Sequence, residues 1–249
     1  MTKKNMWIFS SGLLLVASLC LFYWFYLAKP VTFPDDQQLI YEMNDVFPQV
    51  AVEVIQDKIH ADEHHVVVPF ISEKQQYGLS YWMWKKHKWQ VLHIDLGGEP
   101  RVWKVNPQDP SSYHFVWNIS PAEKLSAIQL YMLRERGLRF SEEEETYEPR
   151  VQIEWKILLQ DQPYGLMPLP DEGVKILKAY TNVSAARKLD LLFSFPEPEV
   201  YFSWIAKDVS GNEAFPTSIM NSNSYSVNYN PVDYMLIYSE DQLEMPDRN

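Results

Sequence analysis

The chain of 249 residues has one cysteine, Cys20, and it sits inside an uncharged run. Nothing beyond it can form an intrachain disulfide. That excludes the disulfide-stapled class of small secreted domain and suits an envelope without oxidative folding, although a reducing compartment would suit it equally. Acidic residues are missing from the first 29 positions, which hold Lys3, Lys4 and Lys29. Removing those three from the 22 basic residues leaves 19 against all 33 acidic ones, a net −14 for the remainder. A field of that sign repels polyanions. The sequence also lacks a recognition helix, a zinc finger and a Gly-rich phosphate loop, so nucleic acid is excluded as a partner. Catalytic signatures are missing too. There is no G-x-S-x-G elbow, S-x-x-K pair or H-E-x-x-H helix, and no cysteine outside the apolar run. No catalytic residue and no cofactor is assigned from the sequence.

What is present begins with "MWIFSSGLLLVASLCLFYWFYLAKP". Residues 6–28 contain no charge, and eleven of them are Leu, Ile, Val or Phe. As a helix rising ~1.5 Å per residue, the run reaches about 35 Å, enough for a ~30 Å hydrocarbon core with some tilt. Trp7 at one end and Tyr23, Trp24 and Tyr26 at the other stand where aromatic belts form. A cleavable signal could end at "VAS" (residues 16–18), but nine almost wholly apolar residues, 19–27, would then open the mature chain. A lipoprotein signal wants a small residue before Cys20 and finds Leu19. The expectation is an uncleaved signal anchor that crosses the cell membrane once. Lys3 and Lys4 precede it, and acidic Asp35 and Asp36 soon follow Lys29, which favours residues 1–5 in the cytoplasm and the bulk of the chain outside. Five cytoplasmic residues are too few for a signalling domain, so any message to the cell interior would pass through a second membrane protein.

Beyond the apolar run, "DDQQLIYEMNDVF" places Leu39, Ile40, Met43 and Phe47 at helical spacing, with acids at its start. The period then changes to two. "QVAVEVIQ", "HVVVPFIS", "YGLSYWMWKK", "WQVLHID" and "RVWKV" read as strands, with "KKHK" as a hairpin tip. Alternation puts Trp89, Val91 and His93 on one face of their strand. Later candidates are "AIQLYML", "VQIEWKILL", "LDLLFSF", "EVYFSWIAKD" and "DYMLIYS", with a short helix at "PDEGVKILKAY" and a polar loop at "NSNSYSVNYNP". The predicted fold class is a single N-terminal transmembrane helix followed by a β-rich (α+β) domain, an antiparallel meander or sandwich. A boundary is set near Pro121, giving residues 29–120, a helix plus antiparallel β unit, and 121–249, a second β-rich unit, with one long sandwich-like domain as the alternative.

Three constellations carry chemistry. "HADEHH" gathers His60, Asp62, Glu63, His64 and His65, and His60, Asp62 and His64 are weak candidates for a metal ion against the plainer reading of a solvated turn. Lys85, Lys86, Lys88, Arg101 and Lys104, interleaved with Trp82, Trp84, Trp89 and Trp103, form a basic aromatic patch in an acidic domain. It could meet lipid headgroups or an anionic envelope polymer. "SEEEETYE" (141–148) reads as a solvated acidic loop with weak affinity for Ca²⁺ as its alternative, "DVSGNE" as a β-turn, and "NIS" at Asn118 and "NVS" at Asn182 match the glycosylation sequon. The functional expectation is a binding or accessory component of the envelope with the bilayer, and another membrane protein or a polymer, as partners. The alternative is a membrane-tethered hydrolase or metal-dependent enzyme.

Overall fold

The structure, a computed structural model, describes residues 12–19, 22, 29–140, 145–148, 150–159, 163–187, 200–217, 223–227 and 231–244. Most of the run 6–28 expected to span a membrane therefore lies outside the described residues, as do strand candidate 189–195 and residues 141–144 of the acidic stretch. Residues 12–19 are helical. Among the described residues no helix is long and apolar enough to cross a membrane.

The first described element after the apolar run is helix α1 (Asp36–Val46), capped by Asp35, whose carboxylate accepts from Gln38 N at 2.9 Å. Such a cap satisfies one of the unpaired N–H groups of the first turn. Leu39 and Met43, one turn apart, bury its apolar side. They rest on an antiparallel sheet in the order β1 (Val52–Ile55), β3 (His65–Ser72), β4 (Tyr77–Lys85), β5 (Lys88–Asp95) and β15 (Ser224–Ser226), with β2 (Ile59–His60) paired to β3. A second sheet runs β12 (Tyr164–Pro168), β7 (Tyr113–Asn118), β6 (Arg101–Lys104) and β16 (Val232–Tyr234). A third runs β11 (Val151–Leu158), β8 (Leu125–Arg134), β13 (Tyr201–Asp208) and β14 (Glu213–Ala214), with β17 (Leu236–Ile237) parallel to β13. Strands β9 (Gly137–Phe140) and β10 (Glu145–Glu148) make a separate hairpin, and helix α2 covers Asp171–Arg187.

The core clusters show how the layers stack. Val66, Val68, Phe70, Trp82 and Trp89 meet Leu39 and Met43 of α1 on one side of the first sheet. Val67, Leu79 and Tyr81 on its other side meet Trp103, Val116 and Val232 of the second sheet. The second sheet's far side, with Phe115 and Trp117, meets Leu130, Met132, Phe202 and Trp204 of the third. Strand β7 is buried along its whole length because it lies in the middle layer. That pattern erases the alternation by which half-exposed strands are recognised.

The domain is thus β-rich and built of antiparallel sheets, as expected. The boundary expected at residues 120–121 falls at a short turn, Pro121–Glu123. Strands β12, β15 and β16 from beyond it pair with β7, β5 and β6 from before it. Part of the expected polar loop is strand β15. It is an edge strand with Ser224 and Ser226 exposed, so polarity and strand coexist. The expected helix at 170–180 runs longer, to Arg187.

Candidate functional site

The site begins with an irregularity in β5. Tyr81 faces His93 across the ladder but Trp82 faces Val91, so Leu92 is an extra residue, a bulge. A bulge shifts the two-residue period by one and re-aims the side chains beyond it. His93 therefore leaves the side of Trp89 and Val91 on which alternation placed it and joins Tyr81, and Asp95 comes onto the same side opposite Leu79. This turns two ionisable groups into the interface between the first and second sheets. Both are almost wholly buried.

Arg101, at the start of β6, meets them there and is itself 1% exposed. Its Nε donates to Asp95 Oδ2 at 2.8 Å and its Nη2 to the same oxygen at 2.5 Å, while Gly97 N donates to Asp95 Oδ1 at 2.9 Å. The same Nη2 lies 2.6 Å from Glu99 Oε1. Tyr234 of β16 covers the guanidinium, with Cζ 3.5 Å from the ring centre. One cation thus faces two carboxylates, Asp95 fully buried and Glu99 near the rim. Burial drives the Glu99 carboxyl up to about 7, with the Asp95 charge adding to the rise and Arg101 opposing it. Burial, with the Asp95 charge, likewise holds the Tyr81 phenol well above its usual range. Burial lowers His93, with the Asp95 charge opposing the shift. Three buried polar atoms here, Arg101 Nη1, Tyr81 Oη and Trp103 Nε1, have no hydrogen-bond partner among the described residues.

The loop between β5 and β6 that carries Glu99 is locked to the second sheet. Asn118 N donates to Gly98 O at 2.8 Å, and the fully buried Asn118 side chain donates to Gln56 Oε1, Phe70 O and Gly78 O at 2.8, 3.2 and 2.7 Å. Asn118 is therefore unreachable as a glycan acceptor in the folded chain; the side chain of Asn182 lies outside the described residues.

Chemically, the cluster is an ion network with one group titrating near neutrality. Among the described residues the nearest approach to a nucleophile–base pair is Ser226 Oγ, 2.7 Å from His93 Nδ1. Asp95, two residues on, commits its oxygens to Arg101 and Gly97 and so does not orient that imidazole. Glu99 makes the stability of the fold depend on pH. A carboxyl raised from 4.5 to about 7 by folding adds stability that is complete below the lower value and lost as pH climbs through the upper one. After discounting for its place at the rim, the loss is about 2 kcal/mol. Urea unfolding of wild type against Glu99→Gln should show the variant gaining on wild type as pH rises across that window. Parallel curves would refute the assignment.

The remaining sequence candidates are scattered. Asp62 accepts from His64 N at 2.7 Å and from His65 Nδ1 at 2.9 Å, while the exposed His60 ring sits edge-on to Phe33. Among the described residues no group of three His, Cys, Asp or Glu is arranged to hold a metal ion. The five basic residues of the expected patch separate. Arg101 is buried as described, Lys104 pairs with Asp233, and Lys85, Lys86 and Lys88 stand exposed at the β4–β5 tip. The "DVSGNE" stretch is a turn in which Asp208 Oδ1 accepts from Ser210 N and Asn212 N, both at 2.8 Å. An open cavity of about 230 Å³ is lined by Ile119, Ser120, Pro121, Leu125, Leu159 and Pro163, none of them titratable. Comparison with protein-family models, curated proteins and solved structures finds no significant match to this chain.

Proposed function

We propose that this protein is a single-pass, membrane-anchored extracytoplasmic protein whose β-rich domain binds or supports another envelope component without catalysis. The carrying observation is the uncharged run 6–28, apolar enough for insertion and closed by lysines at both ends. The use of the domain's buried ionisable groups fits the same reading. Arg101, Asp95 and Glu99 are spent on one another across two sheets, which is a structural employment. A hydrolase stands second because the Ser226–His93 contact lacks a carboxylate free to orient it.

Protease added to intact cells tests the reading. The chain, tagged at its C-terminus, should sediment with membranes at full mass, and the bulk beyond residue 29 should be digested from outside. Survival of that bulk until lysis would reverse the sidedness, and release of a shortened soluble form would remove the anchor.

A further inference from the structure

We infer that the β4–β5 hairpin tip, through Lys85, Lys86 and Lys88, rests on the anionic phospholipid headgroups of the leaflet from which the chain's own apolar segment emerges. This rests on the anchor reading above and adds to it a fixed orientation of the domain on the membrane.

The first support is the tether. Trp89 Nε1, one residue from the tip, donates to Val31 O at 3.0 Å. Phe33 stands edge-on to Trp89 and Trp82, with ring centres 4.8 and 5.8 Å away. The linker is thus stapled to this hairpin just behind its tip. Val31 lies three residues beyond Ala28, a span of no more than about 10 Å. The hairpin is therefore tethered only a few residues from the end of the apolar run, and its lysines adjoin the tethered Trp89.

The second support is charge. Lys85 and Lys88 face each other across a two-residue turn, Lys86 and His87, both left-handed with φ of 52° and 60°. Asn-Gly is the usual occupant of such a turn, and here a lysine takes its first position. Lys85, Lys86 and Lys88 are exposed and have no carboxylate within ion-pair distance among the described residues. By contrast, Lys58, Lys104, Lys178 and Lys207 are paired with Asp36, Asp233, Asp109 and Glu240. A domain of net negative charge is repelled by an anionic leaflet except where it is locally positive. Of the neighbouring acids, Asp36 is paired with Lys58, Asp35 caps α1 and Asp62 binds His65, while the exposed Glu63 of the β2–β3 turn makes no ion pair with the tip.

The test uses the full chain in lipid nanodiscs, of phosphatidylcholine alone or enriched in phosphatidylglycerol, with an amine-reactive reagent read by mass spectrometry. Lys74, exposed in the turn at the far end of β4, is the internal reference. Lys85, Lys86 and Lys88 should react about fivefold more slowly in the anionic discs, and high salt should restore their rates, with Lys74 unchanged. Equal rates in both discs would overturn the docking while leaving the anchor standing. Failure of the chain to enter discs at all would remove the anchor and the docking together.

Discussion

Replacing Arg101 with leucine should lower the unfolding free energy by about 3–5 kcal/mol, measured by urea denaturation of the full chain in one fixed detergent. Leucine leaves Asp95, at 0% exposure, with Gly97 N as its one remaining donor in the cluster. Removing one partner from a buried pair costs far more than the pair contributed, because the other charge stays desolvated. Lysine should rescue little. A single ammonium cannot reach Asp95 through two nitrogens, hold Glu99 and lie flat beneath Tyr234, all of which the guanidinium does. Adding Asp95→Asn to Arg101→Leu should recover a large part of the loss, since no buried charge is then stranded. A loss below about 1 kcal/mol for the single change would mean that water reaches the cluster.

Gly98→Ala should be nearly as damaging, at about 3 kcal/mol or more, while Gly211→Ala should cost about 1. Both glycines have positive φ, 62° and 82°, so both replacements meet the same kind of backbone penalty. They differ in space. A Cβ on Gly98 would stand 2.2 Å from Asn118 O and 2.4 Å from Tyr77 O, both backbone atoms, whereas nothing lies within 4 Å at Gly211. The Gly98 loop would have to lift away from the second sheet, breaking the Asn118 N to Gly98 O hydrogen bond and dragging Glu99 from Arg101. Thermal unfolding of the two variants side by side separates strain from collision. Equal shifts in Tm would show that the close approach is absent in solution.

The sequence makes the first sheet readable because its strands advertise themselves. "HVVVPFIS" coincides with β3, and "KKHK" with the two-residue turn between β4 and β5. Helix α1 is equally plain, with an acidic cap ahead of apolar residues at the right spacing. Strand β7, "YHFVWN", is hidden by its breaks on either side and by burial on both faces. The buried cluster is hidden for a different reason. Alternation places His93 with Val91, and a bulge, which no period can signal, moves it to Tyr81. Arg101 looks like a surface base because Lys104 is near and tryptophans surround it. The available hint is "DLGGEPR", in which two acids stand six and two residues ahead of an arginine that begins an apolar strand. Short chain distance across a glycine pair lets all three reach one point.

The chain leaves the ribosome from its N-terminal end, and the partners that close β5 and β6 come last, at residues 224–226 and 232–234. For most of synthesis those two strands show unsatisfied hydrogen-bonding rims, open to adventitious pairing with other nascent chains. Completion waits on long-range closures, the slow class of folding event. Truncations upstream of residue 224 should therefore be recovered as aggregates, and a chaperone that shields strand rims would matter most late in translation.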